Sequence, residues 1–130
     1  MTIYTSYFAN LRKLPPTITP IGICVSPPYW FKGENYDKLA PSRELLSQYK
    51  AGHCTMLDYW DRYWSETLSK LDPVSVYCEL HRKGTPDVAV LCYEHFSDFC
   101  HRHILSHWFT QANFGVVVRE YGNPPNVFGG

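Results

Sequence analysis

The sequence predicts a single α/β domain with a mainly parallel sheet and helices on both faces. Short apolar runs bounded by turn residues, such as Val88–Cys92, are typical of strands buried on both sides. Capped, amphipathic helical patterns lie between such runs, which is the alternation of an α/β fold. The chain has 130 residues, enough for one sizeable core. We expect the domain to span residues 1–122 and a flexible Gly, Pro and Asn tail to occupy 123–130.

Four segments are predicted as strands because they are short, rich in β-branched or aromatic residues and bounded by turns. They are Ile3–Phe8, Ile21–Val25, Val88–Cys92 and Val116–Val118. The proline-rich segment Asn10–Pro20 is interpreted as a linker turn. The segment Tyr29–Pro41 is interpreted as an aromatic loop and as a candidate lid that stacks on a base, and the alternative is a satellite core under a long loop.

Capping signals predict four helices. Ser42 begins one that runs to Lys50, and Thr55 begins a second with Asp58 as its capping partner. A third begins at Asp72-Pro73 and ends at Gly84. The fourth is expected from Ser97, as N-cap, to Trp108.

Charge and cysteine content limit the partners and the compartment. Twelve basic and 12 acidic residues give a net charge of zero, so no broad field attracts nucleic acid, and nucleic acid is not expected as a partner. No apolar stretch is long enough to span a membrane. The five cysteines form no C-x-x-C pair, and no secretory signal is evident after Met1. We therefore expect a cytoplasmic protein with free thiols, of which Cys24 and Cys92 are buried.

Reactive side chains gather where the third strand ends and the fourth helix begins. Ligand sites of open α/β sheets lie outside the carboxyl ends of the strands, so Glu94 is expected in a site. Glu94 is a candidate general base or ribose ligand, and the alternative is a structural pair with Arg102 or His101. Cys100, in the first helical turn near Arg102, is a candidate nucleophile, and the alternative is a packed core thiol.

Metal binding is not expected, although several imidazoles lie close together. His103 and His107 are four residues apart, with His95 and Cys100 nearby, which is a spacing that zinc sites use. No glutamate lies between the two histidines and no second ligand pair has a matching spacing, so we predict neither a metal nor another cofactor.

Three segments resemble the domain-of-unknown-function 488 family, and the similarity extends to about Tyr121. They are the opening IYTSYFANL (3–11), the pattern WxKG…YxxLAP (30–41), and LCYE (91–94) with FCHRH (99–103) and Trp108. The resemblance implies a small Rossmann-like α/β domain. Many relatives carry a Gly-Lys pair after the second strand, where this chain has Val25-Ser26-Pro27-Pro28. If that lysine contacts an anion in the relatives, the contact is absent here.

Three functions remain open. The first is a protein that senses or sequesters a small nucleotide-like or other anionic ligand. Its pocket at the strand ends would be lined by Ser6, Tyr7, Ser26, Trp30, Tyr36, Glu94, His101 and Arg102. The second is an enzyme of glycosidic, phosphoester or thiol chemistry that uses Cys100 or Glu94 with His101. The third is a protein-interaction module that uses the aromatic loop. No complete acid, base and nucleophile set is visible, so binding ranks first.

Overall fold

The computed structural model describes residues 2–83, 87–93 and 101–121. Within them, five parallel strands form one sheet in the order β3-β2-β4-β1-β5. The strands are β1 (Thr2–Tyr7), β2 (Ile18–Gly22), β3 (Glu34–Asn35), β4 (Asp87–Cys92) and β5 (Val117–Glu120). The helices are α1 (Arg43–Lys50), α2 (Met56–Glu66), α3 (Pro73–Lys83) and α4 (His101–Ala112). Short 3₁₀ helices span Phe8–Lys13, Asp37–Leu39 and Leu68–Lys70.

The predicted fold class is confirmed, because the chain forms one α/β domain around a parallel sheet. The strand β4 lies at the centre with all of Val88–Cys92 buried, as its unbroken apolar run predicts. The predicted caps are also found. Ser42 accepts a hydrogen bond from the Leu45 amide, and Thr55 and Asp58 form a capping box.

The two faces of the sheet are covered differently. On one, called here the helix face, Ile3, Ile21 and Val90 pack against buried side chains of all four described α-helices. On the other, called the loop face, Ala89 and Leu91 pack against a layer formed mainly by the first 3₁₀ helix and the aromatic loop.

Chain direction explains this division. From β1 through β2 to β3 the chain moves toward one edge of the sheet, and from β3 through β4 to β5 it moves toward the other. Right-handed crossovers place connections that run in opposite directions on opposite faces. The first two connections are short and contain the 3₁₀ helix and the loop, whereas the last two contain the α-helices.

The boundaries of β2 correct one prediction. Part of the segment interpreted as a linker turn is strand, because β2 begins at Ile18 and includes Pro20. The Ile23 amide bonds to Leu91 of β4, and the Gly22 carbonyl accepts from Tyr36 on the other side. The alternation of a strand therefore turns the backbone of Pro20 toward β3, whose pairing begins only at Ile21. Proline has no backbone N–H, so it is tolerated at a position where no neighbouring strand needs a donor.

The sequence also missed β3, which lies inside the predicted aromatic loop. Asn35 of β3 donates from Nδ2 to the Cys24 carbonyl at 2.9 Å and fixes the chain just after β2. Its side chain lies so close to Gly22 that a Cβ at Gly22 would collide with the amide oxygen. The final strand likewise runs later than predicted, over Val117–Glu120.

Several other predictions fall outside the described residues. They concern the helix end at Gly84, the N-cap at Ser97, the domain boundary at 122 and the tail over 123–130. None of the helices in the described ranges has the length and hydropathy of a membrane span.

The cysteines agree only in part with their predicted state. Cys24 and Cys92 are both buried, as expected. Cys24, Cys54 and Cys78 form no disulfide, but Cys92 is disulfide-bonded, so the expectation of free thiols is wrong there. Sequence spacing alone does not reveal which sulfur atoms meet in space.

Candidate ligand-binding site

A cavity of about 690 Å³ opens at the carboxyl ends of β2 and β4. Its lining comes from the residues after β2, the end of β4, the start of α4 and one side of α1. These residues are Cys24, Val25, Ser26, Pro41, Arg43, Leu46, Ser47, Lys50, Ala51, Cys92, Tyr93 and His101. The volume lies within the range of small-molecule sites, roughly 300–1,000 Å³.

The position of the cavity follows from the topology. The chain leaving β2 passes to the loop face, where Phe31 packs, whereas the chain after β4 continues into α4 on the helix face. Neighbouring strands whose connections leave on opposite faces open a crevice at their carboxyl ends. The structure therefore has a cavity at the edge of the sheet where the sequence predicts a site.

The α1 side of the cavity carries two cations that sequence reasoning did not select. Arg43, Ser47 and Lys50 follow one another at intervals of four and three residues, so they lie along one side of the helix. Arg43 and Lys50 are exposed, and neither forms an ion pair within the described ranges. The helical spacing of these residues was the available signal, but nothing in the sequence indicates that this side of α1 faces the strand ends.

His101 forms the inner part of the same cavity. Its side chain is 5% exposed, and Nε2 lies 2.5 Å from the Ile23 carbonyl oxygen. The pKa of His101 is lowered to about 4, mainly by burial and also by the charges of Arg102 and His103, while the hydrogen bond to the Ile23 carbonyl opposes this shift. The imidazole is therefore neutral near pH 7. Because a neutral imidazole carries one N–H, Nε2 donates to Ile23 and the lone pair is on Nδ1.

Tyr93 and Ser26 form the rim that faces the loop. The Tyr93 hydroxyl donates to the Ser26 carbonyl at 2.6 Å, and the Tyr93 ring packs against Phe8 with centroids 5.2 Å apart. This contact joins the end of β4 to the loop after β2. Tyr93 remains 50% exposed, so part of its ring is open to a ligand.

Arg102, the residue after His101, lies outside the cavity lining and is fully buried. Its Nε and Nη2 atoms donate to the two carboxylate oxygens of Glu120 at 3.3 and 3.4 Å, and Nη1 donates to Cys92 Sγ at 3.1 Å. Thr5 donates to the same carboxylate at 2.6 Å. The guanidinium thus has an internal anionic partner, which ties α4 to β5.

Comparison with known families decides the classification. The protein-family model DUF488-N3a, described as the active DUF488-N3 subclade, matches residues 5–113 of the chain. The chain belongs to the DUF488 family. No curated protein and no solved structure matches it significantly. The matched range of the DUF488 chain includes the whole cavity lining.

The DUF488 chain gathers only part of the predicted site. Of the predicted ligand-binding residues that the structure describes, Ser26 and His101 line the cavity. Ser6 is buried and accepts from Asn10 Nδ2 at 3.1 Å. The Tyr7 ring lies 5.8 Å from the Arg102 guanidinium carbon, beside the buried ion pair. Glu94 and Cys100, the other catalytic candidates, lie outside the described residues.

The predicted aromatic lid separates into two parts. Trp30 is 44% exposed and packs edge-on against Phe8, with centroids 6.4 Å apart. Tyr36 belongs instead to the core of the helix face. Burial, followed by the effect of Glu79, raises the pKa of Tyr36 to about 12. Neither ring lines the cavity of the DUF488 chain.

The described part of the DUF488 chain contains no group of three or more His, Cys, Asp and Glu side chains arranged to hold a metal ion. Of the histidines considered for zinc, His103 is buried in α4 and His107 is exposed against two tryptophan rings.

Proposed function

We propose that this protein binds a small, nucleotide-like anionic ligand in the cavity at the carboxyl ends of β2 and β4. One observation carries the proposal: two exposed cations, Arg43 and Lys50, border a cavity of about 690 Å³ whose inner lining is largely apolar. Leu46, Val25 and the Tyr93 ring offer surface for an aromatic or apolar body. An anionic group at the α1 side would receive charge-assisted hydrogen bonds.

The Arg43 and Lys50 pair also bears on the departure from the family pattern. Val25 and Ser26, where the resemblance to the family leads us to expect a Gly-Lys pair, line the cavity without supplying a cation. In this proposal α1 supplies the positive charge from the opposite side. Ser26 and Ser47 add hydroxyls that donate to phosphate or sugar oxygens. Such a protein would act as a sensor or as a sequestering protein.

Calorimetry with three probes tests the proposal. Adenosine monophosphate is expected to bind more tightly than adenosine or inorganic phosphate alone, because only the nucleotide fills both parts of the cavity. A variant with Arg43→Ala and Lys50→Ala should lose this preference. The matched control, Arg12→Ala with Lys13→Ala, removes the same charge from the exposed end of the first 3₁₀ helix. Equal weakening in both variants, or no binding of any probe, would contradict the proposal.

A second candidate is an enzyme of glycosidic, phosphoester or thiol chemistry. The neutral His101 imidazole at the cavity supports it, because a lone pair on Nδ1 is the form that accepts a proton in general base catalysis. The description of the matching family model as an active subclade also favours it. Glu94 remains its other candidate residue.

The enzyme candidate is tested by incubating the protein with nucleotides and separating free base, sugar phosphate and inorganic phosphate by chromatography. Turnover that disappears in His101→Gln, while nucleotide binding remains, is the expected result for an enzyme. The glutamine amide can still donate to the Ile23 carbonyl and so keeps the local fold. Binding without product formation would leave the sensor as the function.

A further inference from the structure

A second concave site lies between α2 and α4, on the outer side of the helix face. It has a volume of about 340 Å³ and shares no residue with the cavity at the strand ends. Its lining consists of aromatic and polar side chains from two helices: Trp60, Asp61, Trp64, His107 and Gln111. Neither the family assignment nor the proposed function uses this groove, which is called here the tryptophan groove.

Three rings meet in the tryptophan groove. Trp60 and Trp64 are one helical turn apart, so both indoles lie on the same side of α2. The His107 ring lies close to both, with centroids 5.8 Å from Trp60 and 6.2 Å from Trp64. Both indoles are half-buried and pack against the core of the helix face, which fixes their positions before any ligand arrives. A fixed arrangement of rings lowers the entropic cost of binding.

The charge of the tryptophan groove favours a cation. Asp61 is exposed and, within the described ranges, is the one acidic side chain of a lining that includes no lysine or arginine. The neighbouring Arg62 is engaged elsewhere, because its Nε donates to Glu66 at 2.7 Å and Nη1 donates to Gln48 at 2.5 Å. The negative faces of the indoles and the Asp61 carboxylate therefore attract positive charge, with no lysine or arginine in competition among the lining residues that the structure describes.

We propose that the tryptophan groove binds the quaternary ammonium group of a small organic cation. A primary ammonium carries three N–H donors, which lose their water when they enter an aromatic groove and find one carboxylate in return. A quaternary ammonium has no such donors, and its methyl groups contact the indole faces directly while the charge is attracted by the rings. Asp61 at the edge of the groove adds attraction without a need for close contact.

Choline is the probe, and its neutral carbon isostere 3,3-dimethylbutan-1-ol is the matched control ligand. In titrations followed by the indole N–H signals in NMR spectra, choline should shift the signals of Trp60 and Trp64. The signals of Trp30 and Trp108, which lie outside the groove, should stay in place. The neutral isostere should bind about fivefold to tenfold more weakly, since it fills the same space without charge.

Two variants complete the test. Asp61→Asn should weaken choline binding about threefold, whereas Glu44→Gln, which removes an exposed carboxylate from α1, should not. Trp64→Leu should abolish saturable binding, and the surface variant Asp61→Asn keeps the test valid if Trp64→Leu destabilises the fold. The proposal is overturned if choline causes no saturable shift of Trp60 and Trp64. Equal affinity for choline and its isostere would also overturn it, because the groove would then recognise only apolar volume.

Discussion

Two arginines near the carboxyl edge of the sheet have opposite environments. Arg43 is exposed on α1 beside the cavity, whereas Arg102 is 0% exposed and bonded to Glu120. A buried guanidinium is stable only with an internal anion and satisfied hydrogen bonds, and Glu120, Cys92 and Thr5 together supply that environment. The comparison indicates that the charge available to a ligand is the one that the protein itself leaves without an ion pair.

A similar contrast between the cavity and the core is found at two consecutive residues of α4, His101 and Arg102. Both side chains are buried, yet His101 is a neutral imidazole at the cavity while Arg102 forms an ion pair with Glu120. Burial without a counter-charge lowers the pKa of an imidazole, as it does for His101. In α4, His101 therefore lines the cavity, whereas the next residue, Arg102, belongs to the buried interior.

The largest expected effect on stability concerns the buried ion pair of Arg102 and Glu120. Glu120→Ala leaves the Arg102 guanidinium buried without its anion, which should lower the free energy of unfolding by about 3–5 kcal/mol. Denaturant titration measures the loss. The double variant Arg102→Met with Glu120→Leu should recover much of it, because a well-packed apolar pair avoids burying charge. A loss below about 1 kcal/mol in Glu120→Ala would mean that the pair is not buried in solution.

The neutral state of His101 should make stability depend on pH. The folded pKa of about 4 lies below the ordinary histidine value of 6.5, so the unfolded chain binds a proton that the folded chain does not bind between these values. Stability is therefore full above about pH 6.5 and falls as the pH drops toward 4, by about 3 kcal/mol in total from this residue.

Denaturation at a series of pH values, for the native chain and for His101→Gln, isolates this contribution. The variant should show a shallower loss of stability between about pH 6.5 and 4, because glutamine does not titrate. The same slope in both proteins would show that His101 is not buried as a neutral group.

For the exposed arginine at the cavity, Arg43→Ala should lower the affinity for a ligand and leave stability nearly unchanged. We expect the affinity for a nucleotide to fall by about 1.5–3 kcal/mol, the contribution of a charge-assisted hydrogen bond. The free energy of unfolding should change by less than about 0.5 kcal/mol, since the side chain is exposed. Calorimetry and denaturant titration of one preparation compare the two quantities. A stability loss larger than the affinity loss would remove the distinction between Arg43 and Arg102.

The smallest expected effect concerns the helix that carries the cations. Ser42 accepts from the Leu45 amide at 3.1 Å, so Ser42→Ala should cost about 1 kcal/mol of stability through loss of the cap. Ser42→Gly should cost only a few tenths. Nucleotide affinity should be the same in both variants at temperatures where the protein is folded. A large drop in affinity would show that the start of α1 takes part in binding.

The sequence alone determined the elements whose signals are local. The apolar run of β4, the Ser42 cap and the Thr55 and Asp58 capping box each depend on a few neighbouring residues, and all are present. These signals also predicted the α/β class and a site at the carboxyl ends of the strands. The two-residue strand β3 was missed because so short a strand exists only through its pairing with β2.

Tertiary structure decided which charged residues face a ligand. The sequence predicts Arg43 and Lys50 to be ordinary exposed residues of an amphipathic helix, and it predicts Arg102 to be a cation beside a site. Only the packing of α1 across the ends of β2 and β4 brings Arg43 and Lys50 to the cavity. Likewise, only the pairing of β5 with β1, 115 residues apart at Thr5 and Glu120, delivers the carboxylate that engages Arg102. The charged residues can be identified from the sequence, but the groups that they contact come from distant segments that meet only in the folded chain.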